Sequence, residues 1–345
     1  MLPYLLMLGF IIFWIFLEKK ALNRKAFWVP LLVLVFFASV RSYLVGADTE
    51  TYTADFRNSV DANYYVFQEE VEYGYQLFEY SLLRVTHNYF WLFFFSSLLI
   101  VGSYLYIFRQ KSEDYLLSVL IFISLGFYLF YFNGLRQGIA MAIVALATPY
   151  LINKNFLKYT LIVLLASFFH KSALILVLFY FIIHLKIKLE FKALAVFIGS
   201  FIISGSAVKY LASTNEKYSG YAEVSEYTGG YLTLFFYFFI SSFLYIFYKK
   251  YKIENPDYYI LLQLCLYGVL FLIPVALLGS NPSGPQRLLF YFVWVIALLI
   301  PSVMRKLNYN FLYSIFLILA FVYYSMVLGF GNLMPYRLND IFRVF

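Results

Sequence analysis

The sequence predicts an all-α polytopic membrane protein, a single integral membrane domain over residues 1–345. Roughly a dozen (about 12) transmembrane helices are expected, some of them short or half-spanning. Three observations lead there. Hydrophobic residues make up 63% of the chain and charged residues 13%, with a mean hydropathy of +0.78, and a soluble fold of this length cannot hide so much apolar surface. Apolar runs near the length that crosses a hydrocarbon core of about 30 Å recur from end to end. The charges fall in short clusters between those runs, leaving no soluble domain of useful size.

Taken in order, the first run, Leu2–Leu17, has no basic segment before it and is followed by Glu18-Lys19-Lys20. That is the wrong order for a cleaved signal peptide, so it reads as the first span. Ala26–Val40 is the second. After a hydrophilic stretch come Tyr89–Phe108, Tyr115–Phe132, Gly138–Ile152, Phe156–Phe169, Ser172–Leu185 and Phe191–Ser206. Tyr231–Tyr248, Tyr258–Leu278, Leu288–Val303 and Tyr309–Phe330 complete the set.

Lys/Arg clusters mark the cytoplasmic side of such a protein. They occur at Lys19, Lys20, Arg24 and Lys25, at Arg109 and Lys111, at Lys154 and Lys158, at Lys186, Lys188 and Lys192, at Lys249, Lys250 and Lys252, and at Arg305 and Lys306. The net charge of +8 is thereby explained by topology, and no nucleic-acid partner is called for. Both termini then fall outside, with outer loops near 45–88, 133–137, 170–171, 207–230 and 279–287. The lone Cys265 excludes an internal disulfide, and three histidines without a Cys cluster leave a His/Cys metal site almost no ligands. No cofactor or metal is expected. An aromatic content of 23% fits either stacking platforms for sugars or a codon bias toward Phe, Tyr, Ile, Lys and Asn.

His170-Lys171 interrupts the apolar stretch Phe156–Leu185. An ionisable pair at that depth reads either as a functional site or as a short polar turn between two helices. Lys158 and Lys186 are both cytoplasmic only if the stretch crosses twice, with His170-Lys171 as the outer turn. Each arm reaches only about 20 Å, which places His170 in a depression below the outer surface. The outer segments also prefer Arg (Arg41, Arg57, Arg84, Arg136, Arg287, Arg337, Arg343) over Lys (Lys171, Lys209, Lys217). Topology needs only positive charge, whereas the planar guanidinium fork matches phosphate bidentately. A phosphorylated substrate or chance would both give the bias.

Within the loop 45–88, Val71, Tyr75, Phe78, Leu82 and Val85 recur at helical spacing and predict an outer amphipathic helix near residues 65–85. Glu72, Gln76 and Glu79 lie on its opposite face, which for most of these carboxylates is expected to be solvated. Asn133-Gly134-Leu135-Arg136-Gln137 is a compact turn between spans, and Asn281–Arg287 precedes a helix start suited to an anion. Lys209–Gly230 has the composition of a mobile loop or lid.

At these residues the chain resembles the EpsG-like branch of the Wzy polysaccharide polymerases. The resemblance rests on Arg41 with Gly46-Ala47-Asp48-Thr49 and Tyr52, on Glu72-Tyr73-Gly74-Tyr75, and on Asn133-Gly134-Leu135-Arg136-Gln137-Gly138-Ile139-Ala140. Phe169-His170-Lys171-Ser172-Ala173 and Gln286-Arg287 with Tyr291 complete it, whereas the last two spans and the tail add nothing. It implies a glycosyltransferase of the bacterial inner membrane that works on the periplasmic face without nucleotide sugar or metal. Such an enzyme moves a growing glycan from undecaprenyl diphosphate onto a lipid-linked repeat unit, and a chain-length regulator is a further expected partner.

In that reading Arg136 and Arg287 hold the departing diphosphate and His170 is the general base. Asp48 or Glu72 serve as alternative bases or bind sugar hydroxyls, and Arg41 and Lys171 hold carrier phosphates. Tyr52, Asn133, Gln137 and Tyr291 complete the expected substrate site. An O-antigen-type ligase, a membrane acyltransferase using His170, and a lipid-linked glycan flippase or transporter are the alternatives.

Overall fold

The computed structural model describes residues 1–214, 229–251, 253, 255–279, 284–307 and 310–342. The expected lid over 209–230 and the turn residues 281–283 fall largely or wholly outside them, as does Arg343. The described chain is helical, and its only β-type pairing is one isolated bridge between Arg41 and Leu338. Among the described residues, six helices are long and apolar enough to cross a membrane, and a pair bent by 42° (Pro285–Val293 and Ile296–Leu307) would make seven. The chain is a multi-pass membrane protein. The exact number of spans expected from hydropathy, which included short and half-spanning ones, is not confirmed by helix length and composition. Trp28–Ser39, Leu135–Leu146, Phe156–Ser167 and Lys171–His184 are apolar but only 10–17 residues long.

The chain divides into two compact units, each described on its own. The first comprises Met1–Thr148, Lys158–Ala173 and Met304–Phe345. It contains α1 (Leu2–Leu22), α2 (Trp28–Ser39), α3 (Thr49–Arg57), α4 (Tyr73–Leu83), α5 (Phe90–Lys111), α6 (Tyr115–Ser124), α7 (Phe127–Asn133) and α8 (Leu135–Leu146). Most of α10 (Phe156–Ser167) and all of α17 (Asn310–Phe330) belong to it too, whereas the short α9 (Thr148–Ile152) lies mostly in the second unit. The span formed by α6 and α7 is 83% buried, against 22% for α17, so the former is the unit's centre and the latter presents its apolar side chains to lipid. The second unit, Pro149–Leu157 with Leu174–Val303, is built around α14 (Pro256–Leu277), which packs against α12 (Leu189–Thr214) and α13 (Gly229–Tyr251).

Two glycines fix how the segment between α2 and α5 lies in the first unit. Gly46 sits at φ +108°, and a Cβ there would stand 2.6 Å from both Asn133 Oδ1 and Thr49 Oγ1. The Thr49 hydroxyl donates to the Phe132 carbonyl at 3.0 Å, so the start of α3 is tied to the α7–α8 corner. Gly74 donates its N–H to the Phe168 carbonyl at 2.9 Å, and a Cβ would meet that oxygen at 2.7 Å. The first turn of α4 is thereby seated on the end of α10.

The tail after α17 returns along the same loops. Asn133 Nδ2 donates to Gly331 O at 2.8 Å, Gly46 N–H to Asn332 O at 2.9 Å, and Ser42 N–H to Arg337 O at 2.8 Å. Tyr336 stacks on Phe37 with ring centroids 4.3 Å apart. These contacts give the tail a structural connection to Arg41, Gly46 and Asn133 that sequence motifs did not suggest.

Candidate functional site

Glu72 is the hub of the site. It occupies the N-terminal cap position of α4, yet its carboxylate does not cap that helix. It accepts from Arg136 Nη1 at 2.6 Å and from the Lys171 backbone N–H at 3.2 Å. Glu72 is 4% exposed and the Arg136 side chain 15%. Arg136 lies in the first turn of α8, where the Asn133-Gly134 corner aims it back across the unit. The Tyr75 ring lies 6.0 Å from the guanidinium, and Tyr52, which hydrogen-bonds Arg136, meets Tyr75 edge-on at the same separation. A buried ion pair persists only when further hydrogen bonds satisfy it, and these supply them.

His170 is half-buried in the break between α10 and α11 (Ile175–His184), with Nδ1 2.6 Å from Ser172 Oγ. Its neighbour Lys171 exposes its side chain while its backbone binds Glu72. Three segments far apart in sequence therefore converge: the Glu72–Tyr75 motif, the Asn133–Gln137 turn and the His170–Ser172 turn. Asp48 stands at the N-terminus of α3, four residues before Tyr52, and Gln137 is buried beside Arg136 in α8.

Arg41 is 1% exposed and sandwiched between Phe93 at 3.6 Å and Phe132 at 4.1 Å, with Nη1 donating to Ala38 O. A guanidinium enclosed by two rings anchors the segment that follows α2, and we give it no phosphate role. Arg57 pairs with Glu50 at 3.4 Å and stacks on Tyr43, and Arg84 donates to the Tyr80 hydroxyl at 3.2 Å. Part of the outer arginine preference thus serves local stacking. Arg287, half-buried in the helical turn Pro285–Leu289, and the buried Tyr291 belong to the second unit.

The face of α4 expected to be solvated is the one that packs inward. Glu72, Gln76, Glu79 and Leu83 are buried, together with Tyr75 from the expected apolar face, while Tyr73, Leu77 and Val85 are exposed. The periodicity signal was present, but its orientation is set by partners distant in sequence. Glu79 accepts from the Tyr65 hydroxyl at 2.9 Å. Burial, and secondarily the Asp55 carboxylate, raise its pKa to about 7 against the opposing pull of the Tyr65 hydrogen bond and Arg136. The sequence placed Glu79 only on the face expected to be solvated, and it gave no sign of Tyr65.

This has a consequence for stability. The folded-state pKa lies above the ordinary 4.5, so the native state binds the Glu79 proton more tightly than the unfolded chain. The associated stability is fully present below the unfolded value and is lost as pH rises to about 7, a difference on the order of 3 kcal/mol. Glu79→Gln, which mimics the protonated acid, is expected to melt above wild type at pH 8, with the gap closing toward pH 5. Thermal unfolding of the two proteins in the same detergent at both pH values checks this, and a gap independent of pH contradicts it.

Among the described residues no three His, Cys, Asp or Glu side chains converge as a metal ligand set. The cluster brings the Arg136 guanidinium and the Lys171 backbone N–H onto the Glu72 carboxylate, with His170 in the same turn as Lys171. The model of the EpsG family matches residues 25–338, so the match takes in the tail segment that binds Gly46 and Asn133. No curated protein matches, and no solved structure matches.

Proposed function

The chain belongs to the EpsG family, and from that premise we propose that this polysaccharide polymerase-type membrane protein transfers a growing glycan from undecaprenyl diphosphate onto a lipid-linked repeat unit. The reaction takes place at the periplasmic face of the bacterial inner membrane. The observation that carries the reading is the meeting of Arg136, Glu72 and the His170-Lys171 turn in one compact unit.

Glu72 holds Arg136 in place through one nitrogen of the guanidinium. The guanidinium carries five N–H donors in a planar fork, so it can bind a diphosphate oxygen while keeping that partner. The exposed Lys171 ammonium adds a second positive charge. His170 takes the proton of the acceptor hydroxyl: in the tautomer where Nδ1–H donates to Ser172 Oγ, Nε2 holds the accepting lone pair. The acceptor oxygen then bonds to the anomeric carbon, the carbon–oxygen bond to diphosphate breaks, and the electron pair departs with the diphosphate. A single displacement of this kind inverts the anomeric configuration. Glu72, engaged by two donors, acts as a positioning group, and the proposal rests on the first unit alone.

A strain lacking the gene tests this against the nearest alternative. Loss of the surface-polysaccharide ladder with a single repeat left on the acceptor is expected. Accumulation of long unlinked chains would indicate a ligase, and an unchanged ladder would remove the glycan reading.

A further inference from the structure

Between Arg57 and Arg84 the chain has no Lys or Arg but carries Asp61, Glu69, Glu70, Glu72 and Glu79. Large rings crowd the surface of the same segment: Tyr64 is 80% exposed, Tyr73 59% and Phe67 40%. The rings are ordered against one another. Phe67 stacks on Tyr73 with centroids 5.4 Å apart and planes at 27°, and it also meets Tyr65 at 5.2 Å and Tyr80 at 5.9 Å.

The loop is held from behind by the buried face of α4. Gln76 accepts from Gln68 N–H at 2.6 Å and donates to the Gln68 carbonyl at 2.8 Å and the Val71 carbonyl at 2.7 Å. Glu79 fixes Tyr65 through its hydroxyl. A buried glutamine with three bonds to one loop makes a rigid platform, which lowers the ordering cost of binding anything to it.

Exposed rings on a membrane protein commonly rest at the bilayer interface, where Lys and Arg accompany them and anionic headgroups attract positive charge. This segment has the opposite sign and is repelled from such a surface. Its chemistry suits a saccharide. The C–H face of a pyranose presents weakly positive hydrogens to the negative face of an aromatic ring. The adjoining Glu69 and Glu70 carboxylates accept hydrogen bonds from sugar hydroxyls or amines. The platform is also continuous with the candidate site, since Tyr73 directly follows Glu72, the partner of Arg136.

We propose that Phe67 and Tyr73, backed by Tyr65 and Tyr80, form a saccharide-stacking subsite that takes an uncharged or amino-bearing sugar of the lipid-linked glycan and excludes uronates. The proposal rests on the polymerase reading above and deepens it. The full-length protein in lipid nanodiscs tests it, with the repeat-unit oligosaccharide released from its carrier by mild acid as probe. A galacturonate tetramer is the acidic comparison.

Phe67→Ala and Tyr73→Ala are each expected to weaken oligosaccharide binding roughly tenfold, the scale of one lost stacking ring. Phe67→Trp and Tyr73→Phe should retain it. With lipid-linked substrate, the alanine variants should raise KM and leave kcat near wild type, because stacking acts equally on ground and transition states. Unchanged oligosaccharide affinity in both alanine variants overturns the subsite. So does equal binding of the galacturonate tetramer, or brominated-lipid quenching of the fluorescence that Phe67→Trp adds to that of the four native tryptophans. Failure of the polymerase reading looks different: wild type then makes no polymer from lipid-linked units while the rings still govern oligosaccharide binding.

Discussion

Arg136→Lys is expected to lower turnover of lipid-linked repeat units by about 10²–10³, the usual cost of removing one donor that stabilises transition-state charge. The geometry makes lysine the informative replacement. Arg136 already commits Nη1 to Glu72 at 2.6 Å, and its planar fork lets it face an incoming diphosphate at the same time. A lysine ammonium is a point charge on a flexible stem and must share its donors between the Glu72 carboxylate and the phosphate. It still neutralises Glu72, whereas removing a buried pair's partner outright costs about 3–5 kcal/mol and would confuse folding with chemistry. Purified protein, matched for folded amount by size exclusion and melting temperature, checks the outcome. Turnover within about threefold of wild type would place Arg136 outside the reaction.

The membrane class was legible from hydropathy because lipid demands long apolar helices and tolerates little else. The exact number of spans, short and half-spanning ones included, was less so. Hydropathy scores Trp28–Ser39 and Leu135–Leu146 like spanning segments, yet each is a helix of 12 residues, and α8 is almost entirely buried by its neighbours. Apolar character reports removal from water, and a buried core helix satisfies it as well as a lipid-facing one.

The site shows the same division. Gly46, Gly74, Arg136 and His170 all fall within short motifs, since a close backbone approach demands glycine and an ionisable group inside an apolar run demands a partner. The pairing of those motifs was hidden. Glu72 meets Arg136 across 64 positions and the Lys171 amide across 99. Without those partners a stripe of Glu72, Gln76 and Glu79 reads as a solvated face, and the inward packing of α4 is inverted. Arg41 erred in the other direction: an outer arginine beside a motif suggested phosphate, but Phe93 and Phe132 enclose it. The tail offered no motif at all, because its contacts to Gly46 and Asn133 run through backbone carbonyls, which any sequence supplies.

His170→Gln is expected to lower turnover by about 10²–10⁴, the range for loss of a general base. Glutamine keeps much of the size and a hydrogen-bonding capacity toward Ser172, which lies 2.6 Å from Nδ1, but it cannot carry the proton away from an acceptor hydroxyl. The opposing account is structural: the turn caps the break between α10 and α11, with His170 N–H bonded to Ala166 O at 3.1 Å and Ala173 N–H to His170 O at 3.1 Å. Both of those bonds are made by backbone, and glutamine preserves them, so a purely structural residue would tolerate the change. The side chain is half-buried beside an exposed lysine rather than enclosed, which leaves the substitution little core packing to disturb. Rates measured across pH with matched folded protein separate the two accounts. The base role requires a large drop together with loss of the wild-type pH inflection. A glutamine variant within about threefold of wild type, with the same pH profile, would take His170 out of the chemistry and make Asp48 the next base to test.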